Sequence, residues 1–170
     1  MDLAEFLRDV PDYPKPGILF KDITPLLASP AALAASIDRL AALDVGKVDV
    51  VAGVESRGFL FGVPLALRLG VGFVPIRKPG KLPWKTNRIE YVLEYGTDAV
   101  EIHQDAVGKG QRVLLVDDLL ATGGTMHACC ALVEGCGAEV AACAFVIELE
   151  ALGGRQRLAP HRIEALIRLP

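Results

Sequence analysis

The chain has 170 residues, with 18 Lys and Arg against 21 Asp and Glu and a formal net charge of −3 at pH 7. An apolar fraction of 52% beside 23% charged residues is the balance of a folded domain and excludes a disordered or low-complexity chain. The negative balance argues against a nucleic-acid partner, and no uncharged apolar run approaches the length of a membrane span.

That length fits one domain, with a core large enough to need no disulfide or metal staple. Met1 is followed at once by Asp2 and Glu5 without a basic region, so no secretory signal is expected. Cys129, Cys130, Cys136 and Cys143 form no C-x-x-C pair, and His103, His127 and His161 lack metal-ligand spacing. Buried free thiols, no zinc site and a cytoplasmic location are the expectation.

Residues 2–10 carry a short helical pattern, with Leu3, Phe6 and Leu7 on one side. The prolines and glycine of residues 11–17 exclude a regular helix there. Ser29-Pro30 is a helix start, with serine as cap and proline at the first position, and the helix should run to about Leu43. Residues 48–52 read as a buried strand ended by Gly53, residues 58–69 as a helix perturbed by Pro64, and residues 71–76 as the next strand. Residues 78–88 are basic and irregular, long for a connection, and such loops are usually functional. Residues 91–95 and 99–103 are a candidate antiparallel pair around Gly96. Residues 113–116 are a strand buried on both faces, residues 125–135 a helix, residues 138–147 another buried strand and residues 163–169 an edge strand. Strands alternating with helices predict a single α/β domain around a mostly parallel sheet of about five strands, flanked by helices.

The strongest signal is residues 113–125, Val-Leu-Leu-Val-Asp-Asp-Leu-Leu-Ala-Thr-Gly-Gly-Thr. A buried parallel strand runs into two adjacent carboxylates, then a turn of small residues, then a helix. Ligands of open α/β sheets sit at the carboxyl ends of strands. The turn Ala121, Thr122, Gly123, Gly124, Thr125 would present backbone N–H groups at a helix N-terminus, which binds phosphate. The hydroxyls of Thr122 and Thr125 would add donors. Asp117 and Asp118 cannot serve the phosphate; they suit ribose hydroxyls or a divalent cation nearby. The turn is neither a Walker A loop nor a G-x-G-x-x-G fingerprint.

This segment resembles the phosphoribosyl pyrophosphate signature of type I phosphoribosyltransferases, in the form carried by the adenine-specific branch. The resemblance covers about residues 10–160. It implies that Asp117 and Asp118 contact the ribose hydroxyls of 5-phosphoribosyl 1-pyrophosphate and that residues 121–125 grip its 5′-phosphate. Ser56 and Arg57, in Glu55-Ser56-Arg57-Gly58, resemble the family's pyrophosphate loop. Arg77, Lys78 and Lys81 resemble its mobile catalytic loop, about residues 77–90, some of whose cations act from the neighbouring subunit. Trp84 inside that loop is read either as a dimer anchor or as a lid contact. Glu94 matches the glutamate proposed as general acid/base, with Tyr95 beside the lid. Residues 11–27 resemble a hood over adenine, in which the backbone of Leu19 and Lys21 reads the base edge while Phe20 and Leu149 sandwich the ring. The family further implies Mg²⁺ carried by the sugar pyrophosphate, with Asp117 and Asp118 reaching it through water at most, and a homodimer.

The expected reaction is transfer of the phosphoribosyl group to adenine, giving AMP and pyrophosphate. Three alternatives stand beside it. A transferase for another base would show itself in a base panel. A regulator sensing the sugar pyrophosphate would need a DNA-binding element, for which the chain before Tyr13 is short. A non-catalytic binding subunit would hold the sugar yet release no pyrophosphate.

Overall fold

Leu114 and Leu115 are neighbours on one strand, project to opposite faces, and are both buried, at 1% and 0% exposure. A strand buried on both sides requires a layer of structure above and below it. The computed structural model describes residues 1–92 and 96–170; Glu94 and Tyr95, both expected at the site, lie outside the described residues. In chain order the chain forms a 3₁₀ turn (Leu3–Phe6), β1 (Arg8–Pro11), β2 (Leu19–Asp22), α1 (Thr24–Ala28) and α2 (Pro30–Ala41). There follow β3 (Val50–Val54), α3 (Gly58–Leu69), β4 (Gly72–Ile76), β5 (Thr86–Val92) and β6 (Thr97–His103). The last part is β7 (Arg112–Leu120), α4 (Gly124–Gly135), β8 (Glu139–Leu149), a 3₁₀ turn (Glu150–Leu152), α5 (Gly154–Leu158) and β9 (Ile163–Leu169).

The central sheet has five strands in the order β4-β3-β7-β8-β9, every neighbouring pair parallel. This is the expected α/β architecture. On one face Ile37 and Leu40 of α2 and Phe61 and Leu65 of α3 pack with Val51, Leu114, Val116, Ala142 and Val146. On the other, Met126, Cys129, Leu132 and Val133 of α4 pack with Val113, Leu115, Cys143 and Phe145, together with Val100 and Ile102 of β6. Two antiparallel hairpins, β1–β2 and β5–β6, stand outside the main sheet. The Ser29 side chain caps α2 by accepting from the Ala32 N–H at 3.3 Å, with Pro30 in the first turn as expected.

Several boundaries differ from the sequence expectation, each for a tertiary reason. The helical pattern of residues 2–10 is realised only as the turn Leu3–Phe6, because Arg8–Pro11 pairs with β2. Gly53 does not end β3; it pairs with Pro75 and Val116 inside the sheet. Thr86, Asn87 and Arg88 belong not to a loop but to β5, held by pairing with residues 101–103. Pro64 sits within α3 without ending it. β7 continues past Val116, because β8 supplies partners for Asp117, Leu119 and Leu120.

The layered core makes a contrast that denaturant unfolding can read. Leu115→Ala should lose about 2–5 kcal/mol, the usual cost of a cavity at a site that cannot collapse. Leu67→Ala, on the exposed side of α3 at 78% exposure, should stay within about 0.5 kcal/mol of wild type for the isolated subunit.

Candidate active site

The carboxyl ends of β3, β7 and β8 come to one edge of the sheet, where each strand hands over to a turn. A cleft of about 210 Å³ opens there, lined by Arg57, residues 117–126 and Phe145. Its floor is the acidic pair. Because β7 keeps sheet pairing through Leu120, alternation sends Asp117 and Asp118 to opposite faces of the strand. Asp118 is buried at 3% exposure, and its Oδ2 lies 2.9 Å from Nε of Arg57. That contact brings opposite charges together without an aligned hydrogen bond: Asp118 Oδ2 accepts none among the described residues. A buried carboxylate oxygen that meets its cation off-axis is uncommon in a native fold and leaves room for a better-aligned donor from a ligand. Burial pushes the Asp117 carboxyl well above its ordinary value, and the neighbouring Asp118 charge adds to the shift. Asp118 is raised as well, by burial, with Arg57 opposing.

The wall of the cleft is the turn into α4. Gly123 adopts φ 79°, and a Cβ on it would come within 2.9 Å of the Gly154 carbonyl oxygen. From the other side, a Cβ on Gly154 would stand 2.3 Å from the Ala121 carbonyl oxygen. The N-terminus of α5 therefore packs directly against the back of the turn and fixes its shape, a role that the sequence alone did not reveal. α4 has no side-chain cap, so its first-turn N–H groups are available to an anion. The Thr125 hydroxyl, expected as a phosphate donor, instead reaches the Tyr91 hydroxyl at 3.2 Å.

Of the expected cations, Arg57 lines this cleft, and most of the others are already paired. Ser56 is exposed beside Arg57, after a cis peptide between Glu55 and Ser56. Arg77 sets its Nε and Nη2 on the two oxygens of Glu55, each at 3.2 Å, and the Lys78 N–H donates to Glu55 at 2.9 Å. Burial would raise the Glu55 carboxyl, but the Lys78 N–H and Arg77 outweigh it and hold it below the ordinary value. The Lys78 ammonium pairs with Asp98 and with the Tyr91 hydroxyl. Lys81 is exposed and has no ion pair among the described residues. Glu55, Tyr91 and Asp98 were missed as partners because they lie 22, 13 and 20 positions from the cations they hold.

The hood closes from the N-terminal side. Phe20 on β2 lies edge-to-face with Tyr13 at 5.1 Å, and the Arg57 guanidinium carbon stands 5.7 Å from its ring centre. Arg57 thus bridges Phe20 and Asp118, which ties the hood to the acidic floor. Leu19 is half exposed, and Lys21 Nζ pairs with Asp9 at 2.6 Å. Leu149 ends β8 at the same edge and packs partly into the core.

The phosphoribosyl transferase domain family matches residues 20–164. The chain belongs to this family. Within it, the chain is 59% identical over 169 residues to the adenine phosphoribosyltransferase of Rhodopirellula baltica, covering 98% of this chain and 82% of that protein. It is 60% identical over 162 residues to that of Methylococcus capsulatus, covering 95% of each. Among solved structures, the adenine phosphoribosyltransferase of Thermoanaerobacter pseudethanolicus superposes with a TM-score of 0.95 at 56% identity, covering 99% of this chain and 100% of that one. The Saccharomyces cerevisiae enzyme, solved with an imino-altritol bisphosphate and adenine, gives 0.91 at 43% identity, with 96% of each chain covered. The type I phosphoribosyltransferase fold expected from the sequence is therefore the fold of this chain.

The sequence resemblance implies Mg²⁺ carried by the sugar pyrophosphate, near the acids at most. Among the described residues no group of three or more His, Cys, Asp or Glu side chains is arranged to hold a metal ion. Two carboxylates at a cleft floor suit a Mg²⁺ ion that keeps its waters and takes its other oxygens from a substrate, the usual habit of that ion. The acidic pair also makes a stability prediction. A carboxyl raised by folding stabilises the fold fully below its unfolded value, and that contribution is lost as pH rises through the folded value. Asp117→Asn removes the penalty, so its stability should match wild type below pH 3.8, the ordinary carboxyl value, and exceed it increasingly toward neutral pH. Thermal unfolding of both proteins across pH reads the gap; a gap that closes toward neutral pH contradicts the assignment.

Proposed function

We infer that the chain transfers the 5-phosphoribosyl group from 5-phosphoribosyl 1-pyrophosphate to adenine, giving AMP and pyrophosphate, as a transferase of purine salvage. The single observation that carries the site is the Asp118 oxygen, buried and without a hydrogen bond among the described residues, facing a cleft walled by an uncapped helix N-terminus. A ribose hydroxyl satisfies the first and a phosphate the second, and one molecule bears both.

In this reading residues 121–125 take the 5′-phosphate through backbone N–H groups, and Asp117 and Asp118 accept from the ribose hydroxyls. The reaction is displacement at the anomeric carbon. Positive charge grows on the sugar ring as pyrophosphate leaves, so the chain's contribution is positioning and charge stabilisation. Ser56, Arg57, Arg77, Lys78 and Lys81 serve the leaving group. Mg²⁺, bound with the substrate, would neutralise pyrophosphate charge. Arg57 turns from Asp118 toward the pyrophosphate once ribose hydroxyls satisfy the acid. Glu94 moves the proton on the base, a contribution of about 10²–10⁴-fold for such groups. Adenine lies between Phe20 and Leu149 and is read by the main chain of Leu19 and Lys21. A carbonyl there accepts from the 6-amino group, whereas a 6-oxo purine would oppose acceptor to acceptor.

The working form is a homodimer. Leu60, Val63 and Leu67 share one side of α3 and are 46%, 42% and 78% exposed, an apolar stripe that a second copy would cover. Four unpaired thiols suit the reducing cytoplasm, and among the described residues no helix is long and apolar enough to cross a membrane. Light scattering should find a dimer that Leu67→Glu converts to monomer; a wild-type monomer would contradict the interface.

The activity test is a base panel. Purified protein, Mg²⁺ and 5-phosphoribosyl 1-pyrophosphate are mixed in turn with adenine, hypoxanthine, guanine, xanthine and uracil. AMP from adenine alone is expected. Nucleotide from a 6-oxo purine would overturn the reading of Leu19 and Lys21, and none from any base would overturn transfer itself.

A further inference from the structure

Glu148 is a carboxylate buried at 3% exposure that takes no part in the reaction described above. It stands on β8 opposite Leu120, the last residue of β7 before the turn at residues 121–125. Arg155, the second residue of α5, closes on it as a fork: Nε donates to Oε1 at 2.9 Å and Nη2 donates to Oε2. Its Nη1 donates to the Ile163 carbonyl at 2.8 Å, where β9 begins. From β9, Arg168 Nε lies 3.7 Å from Glu148 Oε2. Arg155 holds the Glu148 carboxyl below its ordinary value, against burial.

A guanidinium with both arms on one carboxylate has a defined geometry, so the fork fixes where the neighbouring Gly154 lies. Gly154 is the buried first residue of α5. A Cβ on it would meet the Ala121 carbonyl oxygen at 2.3 Å and the Leu120 side chain at 2.7 Å. From the turn, a Cβ on Gly123 would meet the Gly154 carbonyl oxygen at 2.9 Å. These contacts close a ring: Leu120 pairs with Glu148, Glu148 holds Arg155, and Gly154 rests on residues 120–123. A helix of five residues without a side-chain cap is too short to hold itself. Buried Leu158 anchors its far end; Arg155 anchors the end that touches the turn.

We propose that Arg155 is a positioning residue for the 5′-phosphate: its fork on Glu148 seats the start of α5 against the back of residues 121–123 and so keeps the N–H groups of the turn in their binding geometry. This role rests on the reading of residues 121–125 as the 5′-phosphate turn. A turn held ready binds without first being ordered. The 5′-phosphate does not react, so its grip is equal in the ground and transition states, and loss of that grip falls on KM rather than kcat.

Two variants attack the contact from different sides. Arg155→Met combined with Glu148→Gln removes the fork without leaving a buried unpaired charge. Gly154→Ala keeps both charged side chains and sets a Cβ against the Ala121 carbonyl. In each, the KM for 5-phosphoribosyl 1-pyrophosphate and the Kd of ribose 5-phosphate should rise about tenfold, the loss from misaligning one hydrogen bond to a charged group. The kcat should stay within about twofold of wild type. Hydrogen exchange reads the same contact without ligand: the His127 N–H, which donates to the Gly123 carbonyl at 2.9 Å, should exchange faster in both variants. Wild-type binding of ribose 5-phosphate with KM and His127 exchange unchanged in both variants overturns the proposal alone, as does a fall in kcat at unchanged KM. Failure of wild type to bind ribose 5-phosphate overturns the site reading, and the role of Arg155 with it.

Discussion

Two adjacent carboxylates held in the last residues of a central strand are the constraint around which this molecule is arranged. Asp117 and Asp118 are part of β7, and β8 pairs alongside them as far as Leu120 and Glu148. Sheet pairing makes the acids rigid, and burial makes their charges costly. The cost is tolerated because Arg57 stands over one of them. Every neighbouring feature then has a place: Arg57 reaches the hood through Phe20, and the turn after β7 is held from behind by α5. In the proposed function, ribose hydroxyls supply donors to acids whose ionisation the fold opposes, a stability cost set against binding.

The same logic runs through the basic loop. Arg77 is held by Glu55, Lys78 by Asp98 and Arg57 by Asp118. The partly exposed pairs of Arg77 and Lys78 are individually weak, but they hold the cations with their charges balanced. In the proposed function a polyanionic substrate would take over such partners one for another.

Most of the fold was legible in the sequence because the apolar runs at residues 48–52, 113–116 and 138–147, alternating with helical patterns, read as buried strands of a parallel sheet. The turn at residues 121–125 stood out because it follows a buried strand and two adjacent acids and opens a helix; the glycines alone would not have marked it. Less legible were contacts made across the chain. The extension of β7 depends on β8, and β1 exists only by pairing with β2. The start of β5 at Thr86 depends on His103, in a stretch whose lysines and prolines suggest a loop. The Tyr91 network joins residues 78, 91, 98 and 125; nothing in local spacing could have revealed it. Glu94 was read from its resemblance alone and lies outside the described residues.

The most direct test of the whole account is a crystal structure of the chain with AMP bound. The account predicts the phosphate on the N–H groups of residues 121–125, the ribose hydroxyls on Asp117 and Asp118, and the adenine ring against Phe20. AMP lying elsewhere, or phosphate bound at the basic loop with the acidic pair still vacant, would contradict it.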